Sequence, residues 1–258
     1  MQLIDTHTHL YLEEFDSDRN NVIERAIKQG VRGMILPNID STTVKPLLSL
    51  YKQFPGNCFP MAGLHPTSVN KAFEKEFNSV EQELKRGIYY GIGEIGIDLY
   101  WDTTFRDEQE EVFKRQLQLA KKHKLPVSIH TRNSFDIVIN IVKRELTGDL
   151  RGVFHCFSGN TEEAKEIMDT GFKMGIGGIL TFKNSGLDKV VKGIPLNHLV
   201  LETDSPYLTP VPFRGKRNES SYLTYIAGKL AEIKDVTAEE IAEKTTNNAS
   251  ELFNIIIK

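Results

Sequence analysis

A (β/α)8 TIM barrel is the fold that the sequence predicts, and three observations predict it. Short β-branched runs alternate with helix-period segments from end to end, the pattern of parallel strands joined by crossover helices. Eight such units fit into 258 residues, the usual size of this barrel. The third observation is positional: His7, His9, Glu94, His130, His155 and Asp204 all fall at the carboxyl ends of expected strands, and one closed barrel aims them at a common centre.

The elements follow in order. Leu3 to His9 opens the chain as an apolar strand whose alternation puts His7 and His9 on one face. Val22, Ile23, Ala26 and Ile27 form the inward face of a first helix that Gly30 closes. The acidic run of Glu13, Glu14, Asp16 and Asp18 ahead of it is a solvated loop, with Asp16 or Ser17 as the helix cap. Gly33 to Leu36 is the second strand. Ser41 caps a helix faced by Val44, Leu47, Leu48 and Tyr51, and Asn57 to Ala62 is the third strand, ending at Gly63-Leu64-His65-Pro66.

A stripe of Phe73, Phe77, Val80 and Leu84 leads to a fourth strand from Tyr89 to Ile97, glycine-spaced and carrying Glu94. Phe113, Leu117 and Ala120 face inward on a long charged helix, before Pro126 to His130 as strand five. Ile137, Val138, Ile141 and Val142 define the next helix, and Gly152 to His155 repeats the strand-then-histidine arrangement. Asn160 caps a helix faced by Ala164, Ile167 and Met168. Gly175 to Leu180 is strand seven, without a ligand type, and Leu199 to Asp204 is strand eight, followed by a Pro-rich loop from Ser205 to Arg217. Thr237-Ala238-Glu239-Glu240 is a capping box that opens a last helix, with Ile241, Thr245, Leu252, Phe253 and Ile256 on one face.

Composition bounds the rest. No shift in composition divides residues 1–258, which are expected to form one domain with 40% hydrophobic content for its core. Thirty-two basic against thirty-five acidic residues leave a net charge of −3, so any contact with nucleic acid rests on a local basic patch and bound metal rather than on a global positive field. The first residues have no basic leader and no stretch approaches the ~20 apolar residues of a membrane span. Cys58 and Cys156 each fall in an expected strand, where a small buried thiol is the reading and a disulfide is not. A cytoplasmic protein that does not enter membranes is the expectation.

Four imidazoles and two carboxylates exceed the needs of one catalytic zinc and suit two divalent ions held ~3.5–4 Å apart with a bridging carboxylate and water. Glu94, from the middle of the order, is the bridge; His7, His9 and Asp204 complete one ion's set, and His130 and His155 the other's. Asp204 is also the proton acceptor for the water. The chemistry that follows is hydrolysis.

Asp5-Thr6-His7-Thr8-His9, Gly63-Leu64-His65-Pro66, Gly93-Glu94-Ile95-Gly96-Ile97-Asp98, His155-Cys156-Phe157-Ser158-Gly159 and Glu202-Thr203-Asp204-Ser205-Pro206-Tyr207-Leu208 together resemble the TatD family of metal-dependent deoxyribonucleases, a TIM-barrel branch of the amidohydrolase superfamily. The resemblance implies a 3′-to-5′ exonuclease that uses divalent metal, held by the six ligands above, and acts on DNA ends, single-stranded ones first, with RNA left open. It also implies magnesium dependence, whereas four imidazoles suit zinc, manganese or iron. Leu99, Asn133 and Ser220 stand where the family commonly has tyrosine, aspartate and proline, all at the pocket rim. Strand four has no lysine for a carbamate bridge, which favours Glu94 in that place.

Five further side chains are candidates for holding substrate. Arg214, Lys216 and Arg217 lie in the loop after strand eight, where barrels often bind phosphate and where the family has a basic loop; Arg132 follows His130 by two residues; and His65 either orients substrate or hydrogen-bonds within its own loop. Asp98 is expected to hold a ligand in place by a hydrogen bond. His123 and His198 are structural by position. Tyr100 and Trp101 stack a base or, more in keeping with loop aromatics, pack over the barrel rim. Two rival functions use the same residues: hydrolysis of a carboxylic ester or amide, such as an aminoacyl-tRNA ester, and metal-stabilised binding without turnover.

Overall fold

Runs of three to eight residues, apolar on alternate or on all positions, are the strands of a computed structural model that describes residues 1–257. Eight of them pair in parallel in strictly sequential order: β1 (Leu3–Asp5), β2 (Val31–Leu36), β3 (Cys58–Ala62), β4 (Gly91–Asp98), β5 (Val127–Arg132), β6 (Gly152–Phe154), β7 (Lys173–Ile176) and β8 (Leu199–Leu201). Between them run α1 (Arg19–Lys28), α2 (Val44–Gln53), α3 (Phe73–Leu84), α4 (Arg106–His123), α5 (Phe135–Glu145), α6 (Thr161–Asp169) and α7 (Leu187–Gly193), with α8 (Leu223–Lys234) and α9 (Ala238–Phe253) after β8. The chain is a (β/α)8 barrel. No helix among the described residues is long and apolar enough to cross a membrane.

Two buried clusters result. The larger packs the outward faces of the strands against the helices. In the smaller, Ile4, Ile35, Met61, Val153 and Val200 come from five different strands and meet one another, which only the inside of a barrel allows; Ala249, Leu252, Phe253 and Ile255 plug it from below. The opposite mouth is left to polar side chains.

The barrel closes between β1 and β8 through residues just past the strands. Thr6 N–H donates to the Leu201 carbonyl at 3.0 Å, Asp204 N–H to that of His7 at 2.9 Å and His9 N–H to that of Ser205 at 2.8 Å. Behind this seam the Thr8 and Ser205 hydroxyls meet at 2.6 Å, and Asp5 accepts both the N–H and the hydroxyl of Thr203.

Local rules account for most boundaries and for the departures from them. Asn160 caps α6 in a reciprocal box with Glu163, and Thr237 caps α9 by accepting from Glu240 N–H. Ser41 does not cap α2: its N–H and hydroxyl bind Glu76 instead, and Thr43 is the residue at the helix start. Neither Asp16 nor Ser17 caps α1, which starts after Asp18, while Asp16 pairs with Arg19.

Strand seven ends at Ile176, and Gly178–Thr181 is a 3-10 turn rather than the strand's continuation. Here the loop after β8 presses in, and a Cβ on Gly178 would lie 1.9 Å from the Leu208 carbonyl oxygen. The helix α8, with Leu223, Ile226, Ala227 and Leu230 buried on one face, is an element that the sequence reading leaves unassigned after the Pro-rich loop. The last helix stops at Asn254 in the left-handed conformation, so Ile256 lies beyond it and is 86% exposed.

Candidate metal centre at the carboxyl face of the barrel

Strand one ends at Asp5, yet His7 and His9 still point into the barrel mouth because the seam to β8 continues their alternation. The Nδ1 atom of His9 lies 2.9 Å from the Tyr11 hydroxyl, whose own proton goes to the Pro37 carbonyl. Tyr11 therefore accepts from His9 Nδ1–H and leaves the Nε2 lone pair facing the site. His7 Nδ1 lies 3.1 Å from the Ser128 hydroxyl. The two Nε2 atoms stand 3.2 Å apart, and Glu94 Oε2 is 3.1 Å from the first and 3.5 Å from the second. Lone pairs and a carboxylate oxygen converge there with almost no water access, an arrangement that a divalent cation completes.

Glu94 owes its position to a bulge. Strand β4 carries one residue more than β5 between the pairs Ile92–Val127 and Ile95–Ile129, and such an insertion re-aims a side chain. Its other oxygen, Oε1, lies 2.8 Å from His130 Nδ1, 2.9 Å from His155 Nε2 and 3.3 Å from His65 Nε2. Burial opposes a charge on Glu94, but the surrounding imidazoles, His155 foremost, hold its pKa well below the usual carboxylate range.

The remaining groups are arranged around this carboxylate. Asp204 Oδ1 is 3.9 Å from His7 Nε2 and 3.7 Å from His9 Nε2. Burial lifts the Asp204 pKa to about 6, against the pull of His155 and His9. His7 and His155 stack at 3.8 Å with opposite shifts: burial and His155 push His7 well below the imidazole range, whereas Glu94 and Glu202 outweigh burial and hold His155 well above it. His130 bridges Glu94 and Asp98, the latter at 2.9 Å from Nε2; burial opposes its charge and the two carboxylates outweigh burial. Asp98 thus makes the hydrogen bond expected of it.

Donor atoms able to hold a cation fall into three overlapping groups: His7, His9 and Glu94; His7, His155 and Asp204; His65, Glu94 and His130. His155 accordingly belongs with His7 and Asp204 as well as with Glu94, a finer mixing than a division of ligands between two separate sets. His65 accepts Thr67 N–H at Nδ1, so its neutral ring presents Nε2–H to Glu94 and steadies that carboxylate. Burial is what keeps this ring neutral.

The structure adds residues absent from the sequence reading. Tyr11 fixes the His9 tautomer, and Ser128 holds His7 by its Nδ1. Glu202, fully buried, accepts Cys156 N–H at 2.5 Å and brings Oε1 to 3.4 Å from His155 Nδ1, which has no other partner. Space for it exists only because residue 175 is glycine: a Cβ there would stand 2.0 Å from Glu202 Oε2. The signal was the Glu-Thr-Asp run itself, whose first carboxylate sits two residues from the second and so on the same side. Cys156 is not in a strand; with Asn133 and Asp204 it adopts positive φ just past β6, β5 and β8, where the chain turns into the loops.

A cavity of about 570 Å³ opens above these groups, lined by His9, His65, Glu94, His130 and Asp204 on its floor and by Trp101, Arg132 and Tyr207 at its rim. The basic loop after β8 does not reach it. Arg217 is committed to Asp18 through two hydrogen bonds of 2.8 Å, Arg214 lies over the Phe182 ring at 3.7 Å, and Lys216 turns toward Phe213. None of the three, expected to face a phosphate, lines the cavity in this structure.

A barrel with this donor cluster at its carboxyl face is a metal-dependent hydrolase. The sequence model of the TatD-related DNases matches residues 4–254. The metal-dependent hydrolase YabD of Bacillus subtilis is 41% identical over 254 residues, covering 98% of this chain and 99% of YabD. YcfH of Escherichia coli, also named a metal-dependent hydrolase, is 32% identical over 259 residues, 99% of this chain and 97% of its own length. Among solved structures, the TatD homologue YjjV of Escherichia coli superposes with a TM-score of 0.93 at 31% identity over 98% of both chains. A TatD family hydrolase of Entamoeba histolytica gives 0.85 at 23% identity, again over 98% of both. The chain belongs to the TatD family.

Proposed function

We propose that this chain is a 3′-to-5′ exodeoxyribonuclease that uses two divalent ions, zinc, manganese or magnesium, and prefers single-stranded ends. The observation that carries this reading is the division of Glu94, with Oε2 toward His7 and His9 and Oε1 toward His130 and His155. One carboxylate facing two ligand sets is the bridge of a dinuclear hydrolase. The DNase description of the family model supports the substrate, as does Arg132, an exposed cation at the cavity rim.

When bound, such ions bring a water's pKa toward neutrality and neutralise charge that builds on phosphoryl oxygens. Asp204, buried with Oδ1 3.9 Å from His7 Nε2 and 3.7 Å from His9 Nε2, takes the proton of the attacking water. The water oxygen bonds to phosphorus, the bond to the sugar oxygen of the retained strand breaks, and that oxygen leaves with the proton that Asp204 took from the water. Glu94 stays ionised throughout, steadied by His65, while the Arg132 guanidinium orients the phosphate.

The test is digestion of end-labelled single-stranded DNA by metal-stripped protein re-supplied with magnesium, manganese or zinc, beside Glu94→Ala and Asp204→Ala. Metal-dependent shortening from the 3′ end, lost in both variants, is expected. Protein that binds metal and leaves DNA and RNA intact would overturn the reading and direct the search to aminoacyl-tRNA, small esters and amides.

A further inference from the structure

The chain has a single tryptophan, and it stands at the mouth of the cavity over the metal centre, 71% exposed. Trp101 lines the cavity rim without being buried against it. An indole left in water forgoes the burial that stabilises large aromatics, so one held at a cavity mouth is a contact surface rather than a piece of core. Tyr100, also exposed, meets it edge-on, with ring centroids 4.9 Å apart and planes at 89°.

Arg132 completes the group. Its guanidinium lies 3.8 Å from the Tyr100 centroid and 5.2 Å from that of Trp101, and it enters no ion pair among the described residues. Aromatic faces fix where this cation sits and leave its charge uncancelled, ready for a phosphate. The group is also indexed to the chemistry. Tyr100 N–H donates to Asp98 Oδ1 at 2.9 Å, Asp98 Oδ2 is the partner of His130, and Leu99 N–H donates to the Arg132 carbonyl at 2.9 Å. A flat apolar face, an unpaired cation beside it and a hydrolytic centre one carboxylate away reproduce the sequence of base, phosphate and scissile bond in a single strand.

We infer that Trp101, backed by Tyr100 and Arg132, stacks the base of the nucleotide that flanks the scissile phosphate, and that this stacking selects unpaired ends with little regard to base identity. A base inside a duplex has both faces covered by its neighbours and offers none to the indole. The inference rests on the nuclease reading and names the part of the substrate that the rim takes.

Because Trp101 is the only indole, its fluorescence reports on this site alone. Zinc-loaded protein is titrated with an octathymidylate whose linkages are phosphorothioates, with the same oligomer ending in an abasic nucleotide, and with a blunt duplex. Saturable quenching by the first is expected, with binding at least about tenfold weaker for the abasic oligomer and for the duplex. On cleavable single-stranded DNA, Trp101→Ala raises KM about tenfold with kcat within twofold, and Trp101→Phe restores most of the KM. Equal binding of the base-bearing and abasic oligomers, or an unchanged KM in Trp101→Ala, overturns the stacking and leaves a nuclease that digests DNA untouched. Quenching by the octathymidylate alone, with no metal-dependent digestion of any nucleic acid, overturns the nuclease reading and keeps the stacking.

Discussion

Glu94 and Arg132 lie on neighbouring strands at the mouth of one barrel, and their surroundings are opposite. Glu94 is buried with both oxygens in contact with imidazoles, while Arg132 is exposed and held only by the faces of Tyr100 and Trp101. The floor of the cavity is thus a set of groups whose charges are mutually fixed before anything binds. The rim keeps a charge unspent. The loop after β8 sharpens the contrast: Arg217 has the same chemistry as Arg132, but Asp18 has already taken its fork. A cation's usefulness to a ligand depends on what else in the chain competes for it.

If floor and rim divide the work in this way, substitutions in them separate into different observables. The largest effect belongs to Glu94→Ala, which removes the one group shared by every imidazole. Metal content measured by atomic emission falls to background and activity drops by roughly 10²- to 10³-fold or more. Retention of both metal and turnover would put the bridge elsewhere.

Next in size is the support for His155. Glu202→Gln, and separately Gly175→Ala, which pushes a methyl into the Glu202 carboxylate, each weaken metal binding by about 10- to 100-fold in competition with a chelator. Unchanged affinity in both would make Glu202 a backbone anchor for Cys156 only.

The floor also holds a pH signature. Burial lifts the pKa of Asp5 to about 7, against the hydrogen bonds from Ser220 and Thr203 that favour its ionised form. The folded state therefore binds a proton more tightly than the unfolded chain. This contribution is complete below the unfolded carboxylate value and is lost as pH rises toward 7. In metal-free protein the Asp5 contribution accordingly falls between about pH 4 and pH 7, by on the order of a few kcal/mol, as read by urea denaturation beside Asp5→Asn. Asp5→Asn flattens that slope; an unchanged slope would assign it to other groups.

The smallest effects test the rim. Arg132→Ala raises KM for single-stranded DNA about tenfold and lowers the salt dependence of binding by about one phosphate, with kcat nearly unchanged. Arg217→Ala leaves KM within twofold and costs at most about 1 kcal/mol of stability, since its pair with Asp18 is partly exposed. The reverse outcome would exchange the roles of the two loops.

What the sequence made legible follows the same line. Strand ends in a barrel converge by topology, so His7, His9, Glu94, His130, His155 and Asp204 could be assembled from positions in a chain of unknown shape. Tyr11 and Ser128 escaped because their roles lie in hydrogen bonds behind the ligands, and no local pattern encodes those; Glu202 stood in the Glu-Thr-Asp run without being read as a site residue. The three cations of the β8 loop do not line the cavity for a related reason: where a long side chain turns is decided by partners such as Asp18, which is 199 residues from Arg217. Helix α8 was missed although its apolar stripe was present: the residue before its start, Tyr222, makes no side-chain cap that would mark a beginning.

The seam between the first and last strands carries one more consequence. His7 and His9 lie on one side of it and Asp204 on the other, and the hydroxyls of Thr8 and Ser205 that close it are 197 residues apart in the chain. A cation held by both sides is a reversible cross-link on a loop of that length, comparable in topology to a disulfide between the ends of the barrel. Chelation then unbuckles the molecule at a defined place, and amide hydrogens of Thr6, His9 and Asp204 exchange sooner than those of β4 and β5.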